Sequence, residues 1–168
     1  MNSIRSRTRW ILPTLAALLS TCAIADIPSA ANECVSDLLQ TTPSSDFTAL
    51  EGGTVVRHKP TGLEWRRCAE GMTWTGTGCS GLPGLYTWQG ALLRADATSG
   101  WRLPNVKELR SIVERCGPAV NRQVFPDTPS GGFWSASPAF GVANNAWAGD
   151  ARIQKRNERH VRLVRGGQ

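Results

Sequence analysis

The stretch SGWRLPNVKELRSIVERC, residues 99–116, contains a proline, a possible helix cap and apolar residues at regular spacing. Pro104 disfavours helical backbone at the residue before it, so the preceding Trp-Arg-Leu is expected to be extended. Asn105 and Glu108 have the spacing of a capping box, which predicts the start of a helix. The apolar residues after this cap recur at helical spacing, and they are Val106, Leu109, Ile112 and Val113. The stretch therefore predicts an extended piece followed by an amphipathic helix that ends near Cys116.

Trp101 and Arg102 open this stretch, and the pair suits either a ligand site or the frame of a small fold. A large aromatic ring packs readily in a core, and an arginine beside it can bind a carboxylate or backbone carbonyls while its stem covers apolar surface. Each neighbouring position has a structural use of its own. We therefore expect Trp101 to be a core or rim residue and Arg102 to be a framework residue, rather than a pair of ligand-binding residues.

The rest of the chain adds a second helix and several short strands. Thr87 has the position of an N-cap, and the apolar residues after it at helical spacing are Trp88, Ala91, Leu92 and Ala95. Strand-like stretches occupy residues 54–57, 63–67, 133–137 and 146–153. The segment 160–165 alternates, with Val161 and Leu163 on one face and His160 and Arg162 on the other. Two helices and short strands joined by long loops predict an α+β fold.

Residues 1–25 have the three parts of an export signal. Three arginines precede an apolar run that begins at Trp10, and a small-residue motif ends at Ala25. We expect cleavage after Ala25 rather than lipid attachment at Cys22, because Thr21 is larger than the residue that usually precedes a lipidated cysteine. The sequence then predicts an exported protein, periplasmic or extracellular, with no second apolar run of the ~20 residues that span a membrane. The predicted divisions are a signal peptide at 1–25, an N-terminal segment at 26–50 tied by a disulfide, and a domain at 51–168.

Four cysteines remain after that cleavage, and in an exported domain they favour two disulfides. None lies in a C-x-x-C motif, so neither a thioredoxin-like redox centre nor a zinc knuckle is indicated. Cys68 and Cys79 flank one irregular loop, whereas Cys34 and Cys116 each adjoin a short predicted helix. Of the three possible connectivities, we expect Cys68–Cys79 and Cys34–Cys116. The second pair would tie the N-terminal segment to the end of the later helix.

Basic residues are concentrated near the C-terminus. The chain has 19 Lys and Arg against 13 Asp and Glu, and removing the three arginines of the signal leaves 16 against 13, a net charge of +3. This is too mild for a nucleic-acid-binding protein. Residues 152–165 alone hold six Lys or Arg and one Glu, a net +5, and such a local positive field attracts polyanions. We predict a site for anionic polysaccharide formed by Arg152, Lys155, Arg156 and Arg159. The alternative is a solvated hairpin, with Arg162 and Arg165 paired to carboxylates elsewhere.

Two tryptophans lie in segments rich in glycine or asparagine, where partial exposure is expected. Trp74 and Trp147 suit stacking on sugar rings as well as filling irregular loops, and both roles stay open at the level of sequence. We include both in the predicted glycan-binding site. The other tryptophans of the mature chain lie in periodic elements and are expected in the core: Trp65, Trp88, Trp101 and Trp134.

The sequence contains no motif typical of catalysis, such as G-x-S-x-G, H-E-x-x-H or a Walker loop. The two histidines, His58 and His160, are expected to be structural rather than metal ligands. Asn144, Asn145 and Asp150 offer oxygen atoms near a tryptophan, but Asn-Asn is also common in turns, which is the favoured interpretation. We therefore expect a non-enzymatic protein with no cofactor and no metal site.

Five motifs occur in an order and at a spacing that resemble the Lcl C-terminal domain family, an exported bacterial domain found at the end of a collagen-like adhesin. They are Thr61-Gly-Leu-Glu-Trp, Trp101-Arg-Leu-Pro-Asn-Val-Lys-Glu-Leu, Phe125-Pro-Asp-Thr-Pro, Phe133-Trp-Ser-Ala-Ser and Val161-Arg-Leu-Val-Arg-Gly-Gly. The resemblance spans residues 34–168. It implies a C-type-lectin-like architecture, with two helices, a small mixed or antiparallel sheet and long functional loops. It also implies binding of sulfated glycans and surfaces. The Glu-Pro-Asn and Gln-Pro-Asp triplets of calcium-dependent lectins are absent from the sequence.

These observations favour an exported, non-enzymatic module that binds anionic or sulfated glycans or other cell-surface polymers. The alternative is a structural or interaction subunit of an envelope or pilus-like assembly, which would use the same loops to hold a protein. An enzyme of the formylglycine-generating type has a related architecture, but it needs a reactive cysteine that two disulfides would not leave.

Overall fold

A computed structural model describes residues 41–115 and 120–167 and shows an α+β fold. The α-helices in these ranges are α1 (Trp88–Asp96) and α2 (Val106–Arg110), and short 3-10 helices occupy Ser44–Asp46 and Glu51–Gly53. The strands are β1 (Phe47–Leu50), β2 (Val55–His58), β3 (Glu64–Arg66), β4 (Thr73–Trp74), β5 (Cys79–Ser80), β6 (Trp134–Pro138), β7 (Asn145–Ala148), β8 (Ala151–Gln154) and β9 (Val164–Arg165). No helix in the described ranges has the length and apolarity needed to cross a bilayer. The predicted signal peptide lies outside the described residues.

The strands form two main sheets and one small ribbon. The first sheet has the order β1-β2-β3-β9 and is antiparallel throughout. In it Trp65 lies opposite Val164, so the end of the chain returns to the side of an early hairpin. The second sheet has the order β6-β7-β8, also antiparallel, with β8 as an outer strand. Strands β4 and β5 pair with each other as the ribbon.

Trp101 lies in the core, as predicted for a framework residue. Its side chain is 9% exposed and belongs to the apolar cluster that includes Trp134 and Leu163. The guanidinium carbons of Arg66 and Arg165 lie 4.5 and 4.6 Å from its ring centroid. Such cation–π contacts allow a buried ring to be covered by the stems and heads of charged residues.

Arg102, Glu108 and Asn105 join the extended piece to α2. Arg102 donates from both terminal nitrogens to the two Glu108 oxygens, each at 2.7 Å. Glu108 also accepts from the Asn105 backbone nitrogen at 2.8 Å, and Asn105 Oδ1 accepts from the Glu108 backbone nitrogen at 2.9 Å. Burial alone would raise the pKa of Glu108, but these hydrogen bonds hold it below its ordinary value. The predicted capping box at the start of α2 is confirmed.

The end of α2 was predicted wrongly. The helix ends at Arg110, whereas the apolar spacing predicted a helix to near Cys116. After Arg110 the backbone tightens, since Val113 N donates to Arg110 O at 3.2 Å in a three-residue step. Val113 then forms a bridge with Val120. Pairing with a later segment therefore replaces the last helical turns.

The segment before β9 is buried on both of its faces. Val161 and Leu163 are fully buried, as expected, but His160 and Arg162 are only 8% and 1% exposed. The backbone of this segment accepts hydrogen bonds along both of its edges. On one edge Trp134 N donates to His160 O at 2.9 Å. On the other edge Glu70 N donates to Val161 O at 2.9 Å, and Arg66 N donates to Leu163 O at 3.0 Å. A strand-like segment with neighbours on both edges and packing on both faces leaves no solvent face for Arg162.

The Cys68–Cys79 disulfide is present, with Cα atoms 5.6 Å apart, and this part of the predicted connectivity is confirmed. It closes the ribbon formed by β4 and β5. Cys34 and Cys116 lie outside the described residues, so the Cys34–Cys116 pair stays a prediction. Part of the predicted N-terminal segment forms β1 and pairs with β2.

Candidate anion-binding site on an outer strand

Three of the four predicted cations lie on β8 and the turn that follows it. We call Arg152, Lys155 and Arg156 the basic edge. Strand β8 pairs with β7 and is the outer strand of its sheet. Arg152 and Arg156 are exposed and Lys155 is half-buried. Four residue steps of chain span at most about 14 Å, so the three residues are close enough to contact a single polymer chain.

Lys155 is held in place by both its backbone and its side chain. Its Nζ donates to Ala143 O at 2.8 Å and lies 4.5 Å from the Trp88 ring centroid. Its backbone nitrogen donates to Asn144 O at 2.8 Å, and Trp88 N donates to Lys155 O at 2.9 Å. Arg156 shares a surface hollow of about 350 Å³ with Lys155 and Asn144. The turn after β8 is therefore fixed by α1 and by the loop before β7.

Arg152 lies beside Trp147, the half-buried tryptophan of β7. The guanidinium carbons of Arg152 and Arg110 are 5.9 and 5.2 Å from the Trp147 ring centroid. Arg110 in turn binds Asp150 through a 2.8 Å contact between Nε and a carboxylate oxygen. The structure thus brings Trp147 next to the basic edge, with its ring in contact with two cations.

Arg159 lies beside a different hollow. Its backbone pairs with Tyr86 in both directions, at 2.9 Å each, and its Nη1 donates to Glu158 O at 2.6 Å. The hollow that it lines, together with Leu85 and Gly131, has a volume of about 390 Å³. Arg159 therefore flanks the basic edge rather than sharing its hollow.

The basic edge and Arg159 have no anionic partner in the part of the chain that the structure describes. No carboxylate oxygen of residues 41–115 and 120–167 lies within 4.0 Å of their cationic nitrogens. Arg165 differs, because it binds the carboxylates of both Glu51 and Glu64. Arg162 differs again, because it is buried against backbone carbonyls. The solvated-hairpin alternative expected both of these arginines to pair with carboxylates, and in the described ranges only Arg165 does.

Trp74 lies on β4, in the ribbon, and not in the sheet of the basic edge. The Arg67 guanidinium carbon is 4.4 Å from its ring centroid. Gly53 is so close that a Cβ there would lie 2.8 Å from the indole nitrogen. That nitrogen is buried and has no hydrogen-bond partner among the described residues. Trp74 therefore packs into its own loop region, and the structure does not bring it to the basic edge.

Each histidine contacts other groups of the protein, as expected for a structural residue. His58 Nδ1 lies 2.8 Å from Thr61 Oγ1, its ring stacks on Phe47 at 4.8 Å between centroids, and burial lowers its pKa. His160 Nδ1 lies 3.0 Å from Gly84 O. Among residues 41–115 and 120–167, no group of three or more His, Cys, Asp or Glu side chains is placed to hold a metal.

The oxygen-bearing residues around Trp147 are separated along β7. Asn144 and Asn145 lie at the start of the strand, and Asp150 lies in the turn after its end, where it binds Arg110. Asn145 Nδ2 instead approaches Arg152 O at 3.5 Å. These residues therefore do not form one set of oxygen ligands.

Two neighbours of this site, Trp88 and Arg110, were not expected there from the sequence. Trp88 was assigned to the core face of α1, and it does pack there, but the Lys155 ammonium also lies 4.5 Å from its ring centroid. Arg110 was not singled out at all, and it reaches Trp147 because α2 packs against β6, the neighbour of β7 in the sheet. Since both contacts join segments far apart in sequence, no local pattern indicates them.

Fold and site together define a small α+β domain in which β9 pairs with an early hairpin, and in which β8 and its turn carry cations that bind no carboxylate of residues 41–115 and 120–167. The family model described as the Lcl C-terminal domain matches residues 54–165, and the chain belongs to this family. The match includes both helices, every strand except β1, and the whole basic edge. Neither a curated protein nor a solved structure matches the chain.

Proposed function

We propose that this protein is an exported, non-enzymatic module that binds anionic or sulfated polysaccharide, or a similar cell-surface polymer, at the basic edge. One observation carries the proposal. The cations of the basic edge lie on an outer strand and its turn, without a carboxylate partner in residues 41–115 and 120–167. Arg159 and Trp147 extend the site on either side.

The chemistry of the basic edge suits sulfate and carboxylate groups on a polymer. The planar guanidinium of arginine donates two parallel hydrogen bonds to such groups. Each exposed ion pair contributes only about 0–1 kcal/mol, so affinity requires several contacts along one chain and falls with salt. The rings of Trp147 and Trp88 lie against Arg152 and Lys155, which reduces the side-chain freedom lost on binding.

Export and a C-type-lectin-like architecture are part of the proposal. The basic, apolar and small-residue parts of residues 1–25 support export. The return of β9 to β3, together with α1, α2 and long connecting loops, supports a lectin-like arrangement. Exported material should begin at Asp26 on N-terminal sequencing, and an acylated Cys22 would contradict this.

Retention on a heparin column tests the site. The double substitution Lys155→Glu and Arg156→Glu should lower the salt concentration needed for elution, because it reverses two of the three cations of the basic edge. The matched control reverses two cations of β2 and the turn after it, Arg57 and Lys59, which are exposed. It changes net charge equally and should elute much nearer the unmodified protein. Equal loss in both variants would show a response to net charge and would contradict a site at the basic edge.

A second candidate function is an interaction subunit of an envelope or pilus-like assembly. The observation that favours it is a pair of exposed apolar side chains in the loop after β5, since Leu82 and Leu85 are 88% and 54% exposed. Large exposed apolar side chains are frequent in surfaces that bind protein. A series of sulfated and unsulfated glycans separates the two candidates. Binding to none of them would contradict the first and favour the second.

A further inference from the structure

A cavity that shares no lining residue with the hollow of the basic edge has mainly apolar walls. It has a volume of about 460 Å³ and lies among the end of α2, the loop 128–133 and the turn between β7 and β8. Its apolar lining includes Leu109, Ile112, Val113, Val120, Phe133 and Ala148. Leu109 and Ile112 are buried, whereas Ser130, Asp150 and Ala151 at the other side of the lining are exposed. The cavity therefore has both exposed and buried residues in its lining.

The buried wall contains a cation. Arg162 lines the cavity and is 1% exposed. Its Nη1 donates to the carbonyls of Arg66, at 3.0 Å, and Arg67, and its Nη2 donates to Thr128 Oγ1 at 2.8 Å. Its guanidinium carbon also lies 4.7 Å from the Phe125 ring centroid. These groups hold the guanidinium in one place but carry no negative charge.

The charge of Arg162 is not neutralised within the described chain. No carboxylate of residues 41–115 and 120–167 lies within 4.0 Å of its nitrogens. Burial lowers its pKa to about 9, so the guanidinium is still charged at neutral pH. A guanidinium has five N–H donors, of which the three hydrogen bonds above use three. A buried charge without a counterion is unfavourable, and an anion placed against it is correspondingly favoured.

Other charged groups of the cavity lie nearer solvent. Asp150 is exposed and binds Arg110 at 2.8 Å, and Arg122 is exposed. An anion that entered the cavity would thus meet the Asp150 carboxylate, which Arg110 neutralises, and the Arg122 cation. The volume lies within the range of small-molecule sites, whereas an apolar lining does not suit the hydroxyl-rich surface of a polysaccharide.

We propose that this cavity binds a small apolar monocarboxylate, with its hydrocarbon body against the α2 wall and its carboxylate on Arg162. The site is separate from the basic edge and does not rest on the function proposed there. The carboxylate oxygens accept the donors that Arg162 does not use within the protein. The hydrocarbon body covers the apolar lining, and each buried methylene contributes about 0.8 kcal/mol.

Calorimetric titration of the mature protein with octanoate tests the proposal. Octanol has the same body without the charge, and propionate has the charge with little body. Octanoate should bind at least tenfold more tightly than either. Equal binding of octanol would show that Arg162 takes no part, and no binding of octanoate at millimolar concentration would overturn the proposal.

A blocking substitution locates the site without disturbing Arg162, whose replacement would also remove buried hydrogen bonds. Ala151→Trp places a large ring at the exposed mouth of the cavity and should weaken octanoate binding at least tenfold. The matched control is Ala49→Trp, at an exposed position on β1 outside the cavity lining, and it should bind octanoate within twofold of the unmodified protein. Unchanged binding in Ala151→Trp would contradict the proposed location.

Discussion

The Glu114 carboxylate accepts four hydrogen bonds from Thr41 and Thr42, the first two residues that the structure describes. Its Oε1 accepts from the backbone nitrogen and hydroxyl of Thr41, at 2.7 and 2.8 Å, and its Oε2 accepts from the same two groups of Thr42, at 3.0 and 2.8 Å. Burial alone would raise the pKa of the carboxyl group, but these four donors overcome that effect and lower the pKa to about 2. The charged form of Glu114 is therefore the form that the fold stabilises.

The Glu114 contacts predict a dependence of stability on pH. Because the folded pKa lies below the unfolded value of about 4.3, the stabilisation of about 3 kcal/mol is complete above that pH and is lost as the pH falls towards 2. Glu114→Gln should therefore lower the free energy of unfolding at pH 7 and make little difference near pH 2. Urea unfolding of both proteins at several pH values measures this. A constant difference between pH 7 and pH 2 would contradict the assignment.

Trp101 gives a second prediction at the scale of a residue. Trp101→Ala removes a core ring together with its contacts to Arg66 and Arg165, and should lower the free energy of unfolding by about 3–5 kcal/mol. Leu93→Ala is the control, because Leu93 is 59% exposed and its truncation should change stability little. A Trp101→Ala protein with unchanged stability and lost heparin binding would make Trp101 a ligand residue instead.

At the scale of an element, the ribbon of β4 and β5 depends on its disulfide. The two strands contain two residues each, too few to be stable by pairing alone. Closing the loop between Cys68 and Cys79 contributes about 3 kcal/mol in the chain-entropy model. Replacing both cysteines with alanine should lower the midpoint of thermal unfolding and expose the ribbon to proteolysis. A midpoint unchanged by the replacement would show that Trp74 and its neighbours hold the ribbon unaided.

The starts of the helices were predictable because their signals are local. Thr87 accepts from Gly90 N at 3.2 Å, and Asn105 with Glu108 forms the capping box, as their spacing predicted. The end of α2 was not predictable, because after Arg110 the backbone tightens and Val113 forms a bridge with Val120. A helix cap is indicated by side chains within four residues, whereas this bridge depends on where Val120 lies in the fold.

The candidate site, like the helices, was predictable from the sequence only where its features lie in neighbouring residues. The charge of the basic edge lies in a few consecutive residues and could be read directly from the sequence. The burial of Arg162 could not, because alternation only placed it on the face opposite Val161 and Leu163, and tertiary packing covers that face too. The positions of Trp74 and Trp147 relative to the cations also depended on which sheet each strand joined.

At the scale of the whole molecule, charge is distributed unevenly over one small domain. Residues 152–165 hold a net +5, whereas residues 26–151 and 166–168 together hold a net −2. Arg162 and Arg165 are engaged within the fold, which leaves the basic edge and Arg159 as the part of this charge directed outward. Such asymmetry orients a polyanion towards one side of the molecule before contact.

Direct titration of the protein with heparin tests whether the basic edge binds sulfated polymer. The dissociation constant should increase about tenfold or more between low and moderate salt, since exposed charges are screened beyond about 10 Å at 0.1 M. Chemically desulfated heparin of the same length should bind at least tenfold more weakly at low salt. Equal affinity for the sulfated and desulfated polymers, or an affinity that does not change with salt, would contradict the account.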